Sequence, residues 1–171
     1  MTVFKELICE IIQLNILDAD EQRIVRRENE VIVAFYATVG QHHIEHAGAN
    51  QAIVFDDVIT NLGTAYSKYA GDFRAPVSGT YVFSVTLMAY GGHTTHYRIV
   101  KNGTGMGNIY LRGQDGAYTS SALTTVLELK QGDSVSVQNI DPDEYLFGYA
   151  YNAFSGFLLQ QDFSNQAIVG K

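Results

Sequence analysis

The sequence predicts an all-β domain built as a sandwich of two sheets, and two observations carry that prediction. From Val31 onward, apolar and polar residues alternate with a period of two, as in strands that bury one face. The strand-like runs are short and are separated by glycine-rich turns, and one pair is joined by Asn102-Gly103, a dipeptide typical of tight hairpins. Many short strands with such turns are typical of a sandwich. The 171 residues suffice for one such domain with a short extension.

The first 30 residues follow a different pattern. Apolar residues recur there at three- and four-residue spacing, so residues 3–17 are predicted to form an amphipathic helix. The stripe consists of Phe4, Leu7, Ile11 and Leu14. It is compatible with a three-stranded coiled coil or with a helix packed on its own domain. Residues 18–30 are rich in charge and are interpreted as a linker or as a solvated continuation of the helix. Cys9 is the only cysteine, which excludes an intramolecular disulfide and leaves an intermolecular bridge or a small apolar role open.

Seven later segments alternate strongly enough to be predicted as strands. They are residues 31–39, 79–90, 97–102, 105–111, 120–129, 133–139 and 154–160. In the second of them Tyr81, Phe83 and Val85 point to one face, while the residues between them point to the other. The hairpin at Asn102-Gly103 joins the third segment to the fourth.

The glycine and aromatic positions resemble those of a known family. Between Asn61 and Phe83 they are Gly63, Tyr66, Gly71, Phe73, Pro76, Gly79, Tyr81 and Phe83. Further matching motifs are Val33-Ala34-Phe35, Lys101-Asn102-Gly103, Gly132-Asp133-Ser134-Val135 and Phe154-Ser155-Gly156-Phe157-Leu158-Leu159. This pattern is similar to the globular head of complement C1q. The resemblance implies a ten-stranded jelly-roll β-sandwich of the C1q/tumour necrosis factor type that trimerises and acts by binding. The expected organisation is a helix and charged linker over 1–30, a C1q-like domain over 31–160 and a tail over 161–171.

The end of the last predicted strand points to self-association. Phe157-Leu158-Leu159 does not alternate, and such a run is typical of a strand that is buried on both faces. One face would be the core, so the other face needs a cover. A closed threefold ring of like interfaces would provide it, and the helix of the same chain is the alternative. The candidate residues of the trimer interface are Tyr149, Tyr151, Phe157 and Leu159.

Strand direction predicts where a ligand would bind. With jelly-roll connectivity, the connections 91–96, 112–119 and 140–153 gather at one end, together with the stretch after Val39, and both termini emerge at the other. All five histidines fall near this free end, namely His42, His43, His46, His93 and His96. Neutral imidazoles there could bind a transition metal, or change charge as the pH falls. Polar loop residues without a ligand are the simpler interpretation, so the metal is left unknown.

The same end combines tyrosines with polar groups. An aromatic ring with a polar tip can cover the apolar face of a sugar, while carboxylate, amide and guanidinium groups pair with its hydroxyls. The candidate ligand-binding residues are His93, His96, Arg112, Gln114, Asp115, Tyr118, Asp141, Asp143 and Tyr145. Asn152 is a further polar neighbour. Tyr149 and Tyr151 lie closer to the last strand and are therefore assigned to the trimer interface.

Two further metal interpretations are open. Residues 42–46 read H-x-x-E-H, a zinc-hydrolase string that requires a helix. Several C1q heads hold calcium through acids of one loop, but here Leu111 and Thr119 stand where such acids would be expected. A second acidic group could hold Ca²⁺ and consists of Asp141, Asp143 and Glu144. No cofactor is assigned, and calcium stays open.

Composition and charge argue against two classes of function, nucleic-acid binding and membrane spanning by a helix. A net charge of −7 with scattered basic residues argues against nucleic acid as a partner. No apolar run approaches the ~20 residues that span a bilayer. Lys5, Glu6 and Glu10 interrupt what would be the apolar region of a signal peptide, so an extracellular location is expected from the resemblance alone.

We therefore predict a non-enzymatic, secreted-type homotrimer of the invertebrate, lectin-like type. Its task would be to bind carbohydrate or microbial surface ligands in innate immunity. A cytokine- or cerebellin-like ligand for a protein receptor is the alternative. A metal-dependent hydrolase would require a helix at residues 42–46.

Overall fold

The computed structural model describes residues 30–40, 42–113 and 116–164 and shows an all-β sandwich in this part of the chain. Its twelve strands are β1 Ala34–Thr38, β2 Ile44–Ala47, β3 Asp57–Leu62, β4 Tyr66–Ser67, β5 Asp72–Arg74, β6 Gly79–Met88, β7 Thr94–Lys101, β8 Thr104–Arg112, β9 Ser120–Leu129, β10 Ser134–Asn139, β11 Glu144–Leu146 and β12 Ala153–Gln161. The predicted helix over 3–17 and nearly all of the predicted linker lie outside the described residues.

Ten of these strands form two antiparallel five-stranded sheets. The inner sheet has the order β3-β1-β12-β6-β9, and the outer sheet has the order β4-β5-β10-β7-β8. Strands β11 and β2 form a small separate sheet. The strand order confirms the predicted ten-stranded jelly roll and adds the two short strands of the small sheet to it.

Stacked aromatic rings fill the core between the two sheets. The ring of Phe35 lies 4.8 Å from that of Tyr66, 5.4 Å from Phe73 and 4.9 Å from Phe154, measured between centroids. The hydroxyl of Tyr66 donates to the carbonyl of Phe55 and accepts from its amide, so the one polar tip among these rings is paired. Burying such rings stabilises a fold by about 2–3 kcal/mol each.

The segments predicted from alternation are strands in the structure, but the prediction missed the four-residue β2 and the six-residue β3, as well as three strands that are too short to show a period. Strands β4, β5 and β11 have only two or three residues each. Strand β7 begins at Thr94, so the predicted 91–96 connection is wrong at its end and His96 lies on a strand. The hairpin turn is confirmed, with Asn102 and Gly103 at φ of 48° and 83°, where asparagine and glycine are favoured.

Strand register brings the predicted connections to one end of the sandwich, which we call the loop end. Met88 at the end of β6 pairs with Ser120 at the start of β9, and Thr94 at the start of β7 pairs with Arg112 at the end of β8. Thr38 at the end of β1 pairs with Ala153 at the start of β12. The gathering of these connections at one end is therefore confirmed. Of the predicted ligand-binding residues, the connections carry His93, Tyr118, Asp141 and Asp143, and the ends of neighbouring strands carry His96, Arg112 and Tyr145.

Candidate functional site

Aromatic and acidic side chains meet on one side of the loop end. The ring of His93, in the β6–β7 connection, lies 4.2 Å from that of Tyr145 on β11. Partial burial is the main cause that raises the pKa of the Tyr145 phenol, and the negative charges of Asp143 and Glu45 raise it further. The amide of Gly113 donates to the carbonyl of His93 at 3.0 Å, which places the β8–β9 connection and its neighbour Arg112 beside the same surface. A flat ring edged by carboxylates can offer both stacking and hydrogen bonding.

A second group of predicted residues converges on β7. The Nδ1 atom of His96 lies 2.6 Å from Oδ2 of Asp141, in the β10–β11 connection. The backbone amide of His96 donates to Oε1 of Glu144, the first residue of β11. One ligand atom from each of these three side chains lies within 4.8 Å of the others. We call this group the His96 cluster.

Glu144 is the buried member of the His96 cluster. The residue is only 3 % exposed, and its Oε2 atom has no hydrogen-bond partner among the described residues. Burial raises the pKa of its carboxyl to about 7, although the hydrogen bond from the His96 amide acts in the opposite direction and lowers it. The sequence interpretation placed Glu144 in an exposed acidic group, and nothing in the local pattern indicates its burial.

A cluster of rings centred on Phe147 covers the neighbouring part of the loop end. The centroid of Phe147 lies 5.0 Å from Tyr118, 5.9 Å from Tyr149 and 5.2 Å from Tyr151. These three tyrosines are each about half exposed, at 50, 51 and 54 %. The sequence interpretation gave Tyr118 to the ligand and the other two to the trimer interface. In the structure all three belong to one surface, which we call the Phe147 cluster.

Two buried asparagines hold the connections of the loop end in place. Asn139 accepts from the amide of Gln51 and donates to the carbonyls of Ala47 and Asp141. Asn152 accepts from the amide of Met88 and donates to the carbonyl of Phe147. Both residues are fully buried, so the interpretation of Asn152 as a polar group available to a sugar is wrong. No local signal distinguishes a buried asparagine from an exposed one.

The four histidines whose side chains the structure describes have different neighbours. His43 lies among rings, 4.9 Å from Phe147 and 4.9 Å from Tyr90, and its Nδ1 accepts from the amide of Gly148. His42 lies 3.9 Å from Asp56 instead. The H-x-x-E-H string runs into strand β2, which begins at Ile44, so the helix that a zinc hydrolase of this type needs is absent and that interpretation is wrong.

Some residues that the sequence interpretation singled out at the loop end are not described by the structure, and two others are. Gln114 and Asp115 lie outside the described residues, as does the side chain of His46. Leu111 is fully buried in the core, and the Oγ1 atom of Thr119 donates to the carbonyl of Arg112.

The outward face of the inner sheet carries an apolar row across all five strands. Directly paired residues of neighbouring strands share a face. The row, from β3 to β9, is Leu62, Ala34, Phe157, Val82 and Val126. The large side chains at its two ends and centre are exposed, with Leu62 at 51 %, Phe157 at 46 % and Val126 at 58 %. A parallel row of hydroxyl groups lies beside it and consists of Thr60, Tyr36, Ser155, Ser84 and Thr124.

Strand β12 has a bulge at the end of the Phe157-Leu158-Leu159 run. Leu158 pairs with Tyr81 and Gln160 pairs with Thr80, so Leu159 is the extra residue of the strand. Leu158 packs against the core, whereas Phe157 and Leu159 are 46 and 61 % exposed. Within one chain, therefore, the described residues cover only the core-facing side of this run. No helix in the described part of the chain has the length and hydropathy needed to cross a bilayer.

Comparison with known proteins agrees with this architecture. Residues 34–159 match the family model of the C1q domain. The chain is 29% identical over 131 residues to complement C1q tumor necrosis factor-related protein 3 of Homo sapiens, and equally to that of Mus musculus. The matched stretch covers 76% of this chain and 52% of theirs, so the chain spans about half the length of the curated relatives it matches.

Two solved structures show the same fold at low identity. The globular domain of zebrafish complement 1qA protein matches with a TM-score of 0.60 at 19% identity, covering 76% of this chain and 99% of that one. The Eiger TNF of S. frugiperda matches with a TM-score of 0.59 at 14% identity, covering 81% and 99%. The family match extends over most of the sandwich and includes both the inner-sheet row and the loop end. The chain belongs to the C1q domain family.

Proposed function

We propose that this chain is the head of a secreted-type homotrimer that binds carbohydrate, including glycans of microbial surfaces, through its loop end. The observation that carries the proposal is the apolar row across the inner sheet. An antiparallel sheet that faces water is expected to carry polar residues on that face. Here Leu62, Phe157 and Val126 occupy it instead, so the face needs a partner.

A threefold ring of like copies is the partner that we propose for this face. Covering a fully exposed leucine, valine or phenylalanine stabilises an assembly by about 1.5–3 kcal/mol per side chain, before the cost of association. The row runs across the whole sheet, so a partner must cover its full width. The hydroxyl row beside it supplies groups that can hydrogen-bond across the interface.

Rotation about a threefold axis keeps the three loop ends on the same side of the assembly. Each copy then presents His93 and Tyr145, with Asp143 beside them, toward the same surface. A single shallow sugar site is weak, but three sites on one rigid body gain affinity on a repeating surface through effective concentration. The chemistry suited to a sugar is a ring for stacking and carboxylates for hydroxyl groups.

Light scattering coupled to size exclusion tests the assembly. The wild-type chain is expected to have the mass of three chains of 18.9 kDa each. Phe157→Asp buries a charge in the proposed interface but is exposed in a single chain, so it is expected to give a folded monomer. Tyr69→Asp is the control, since Tyr69 is 87 % exposed on the turn between β4 and β5. A wild-type monomer at micromolar concentration would overturn the trimer.

A glycan array tests the ligand. The wild-type trimer is expected to bind a subset of glycans, Tyr145→Ala is expected to lose that binding while remaining trimeric, and Tyr69→Ala is expected to keep it. Parallel arrays with and without EDTA show whether a metal takes part. Binding that survives Tyr145→Ala unchanged would remove the sugar site from this surface.

A protein receptor is the second candidate, and the Phe147 cluster favours it. Exposed tyrosines and phenylalanine are enriched in protein interfaces, and this cluster lies next to the inner sheet. A cytokine- or cerebellin-like ligand would show no binding on the array and would depend on Tyr118 rather than on Tyr145.

A further inference from the structure

We propose that the His96 cluster, which consists of His96, Asp141 and Glu144, is a binding site for a divalent transition-metal ion, with Zn²⁺ as its best-suited occupant. The three residues come from two segments, the start of β7 and the β10–β11 connection together with the first residue of β11. An ion there would join these segments at the loop end.

The first support is the geometry of the donor atoms. One imidazole nitrogen and one oxygen from each carboxylate lie within 4.8 Å of one another. Zinc bonds to histidine nitrogen and carboxylate oxygen at about 2.0–2.2 Å in a tetrahedral arrangement, so two of its ligand atoms are about 3.4 Å apart. The widest separation, at most 4.8 Å, therefore needs to close by up to about 1.4 Å. The His96–Asp141 pair, at 2.6 Å, needs to open instead, which Asp141 can do because its side chain is 57 % exposed.

The second support is independent of that spacing and concerns Glu144. Its carboxylate is nine-tenths buried or more, yet only Oε1 is hydrogen-bonded, and Oε2 has no partner in the described residues. A buried carboxylate oxygen without a partner is costly, and buried charges are generally paired or coordinate a metal. A cation between Glu144 and Asp141 would supply the missing partner and would neutralise two neighbouring acids.

Neighbouring contacts hold the ligands in position. The ring of His96 stacks on Tyr110 with 4.5 Å between centroids. The buried side chain of Asn139 donates to the backbone carbonyl of Asp141 at 2.9 Å, which fixes the connection that carries this ligand. Ligands fixed by such outer contacts need little reordering when the ion enters.

The donor set favours zinc over calcium. Imidazole is a ligand of zinc and other transition metals, whereas Ca²⁺ takes six to eight oxygen ligands. Three protein ligands leave at least one coordination position of a zinc ion for water or another small ligand. The exposed side chain of Asp141 indicates that this position would face solvent.

Isothermal titration of ZnCl₂ into the EDTA-treated, dialysed full chain tests the proposal. One ion per chain is expected, with a dissociation constant in the micromolar range or below. Asp141→Asn and Glu144→Gln each keep the shape of the side chain and are expected to weaken binding by about ten-fold or more. CaCl₂ and MnCl₂ titrated in the same way are expected to bind more weakly than ZnCl₂.

Two control variants separate this site from other donors. His93→Ala removes a neighbouring histidine outside the cluster, and Cys9→Ser removes the only thiol. Both are expected to keep the wild-type affinity for zinc. Asp141 is exposed, so Asp141→Asn is expected to fold even if Glu144→Gln does not, and circular dichroism checks both.

Two results would overturn the site. One is a wild-type chain that takes up no zinc at millimolar concentration. The other is zinc binding that Asp141→Asn and Glu144→Gln leave unchanged, or that His93→Ala or Cys9→Ser abolishes. None of these readouts depends on sugar binding, so the metal site and the proposed glycan function stand or fall separately.

Discussion

Replacing Asn152 by alanine is expected to destabilise the fold by about 3 kcal/mol, because its side chain joins two segments of the loop end. Its Oδ1 atom accepts from the amide of Met88 at the end of β6, at 2.7 Å, and its Nδ2 donates to the carbonyl of Phe147. The residue is completely buried. Alanine removes both partners at once.

The size of this effect follows from the two backbone groups that lose their partner. A net hydrogen bond stabilises a fold by about 1 kcal/mol, and a buried group that is left unpaired costs about 1–3 kcal/mol. Both bonds are partly buried, so water can reach part of each group and the lower half of that range applies. The sum of about 3 kcal/mol corresponds to a fall in Tm of about 10 °C for a chain of this length.

Equilibrium unfolding in urea, followed by far-UV circular dichroism at one fixed protein concentration, measures the change. Asn108→Ala is the matched control, because Asn108 is exposed on the edge strand β8. It is expected to alter the free energy of unfolding by less than about 0.5 kcal/mol. If Asn152→Ala were as mild as this control, the assigned role of the buried asparagine would be wrong.

Two further perturbations test the core and the β9–β10 turn. Gly156→Ala is expected to lower the free energy of unfolding in urea by about 2 kcal/mol, since its Cβ would lie 2.5 Å from a ring carbon of the buried Phe83. Gly107→Ala is the control and should lower it less, because its Cβ would meet a terminal methyl group of Leu123. Equal decreases for the two variants would contradict this packing. Hydrogen bonds from the Asn102 side chain, which has the larger effect, and from the Lys130 amide lower the pKa of Asp133 to about 2. Its value in the unfolded chain is about 3.9. The stability from Asp133 is therefore present above about pH 4 and is lost as the pH falls toward 2. Urea midpoints at neutral and acid pH should show that Asp133→Asn destabilises at neutral pH and much less in acid, and a difference that does not depend on pH would refute it.

The local pattern of the sequence was enough to predict most of the sheet. Strands such as β6 and β9 alternate over ten residues each, and the φ values of the turn at Asn102-Gly103 follow from residue type alone. Strand β4 has two residues and β11 has three, so neither shows a period. Their formation depends on partners that are distant in the sequence.

The candidate site shows the same division. The loops that carry His93, Asp141 and Tyr145 were predicted to meet, because antiparallel connectivity determines where strands end. Their pairing was not predicted, since His96 contacts Asp141 and Glu144 from 45 and 48 residues away. The Phe147 cluster likewise joins Tyr118 to Tyr149 and Tyr151, which the sequence interpretation had assigned to different surfaces.

Alternation and turn chemistry are properties of neighbouring residues, so the amino-acid sequence by itself determined the all-β sandwich class and the hairpin. The family resemblance of the sequence implied the jelly-roll connectivity, and with it the end of the sandwich where the connections gather. Burial of a polar side chain depends on segments that meet only after the sheets have packed. For that reason only the tertiary structure decided that Asn139, Asn152 and Glu144 are buried, that the histidines with described side chains have different neighbours, and that the described residues leave an apolar row on the inner sheet partly exposed.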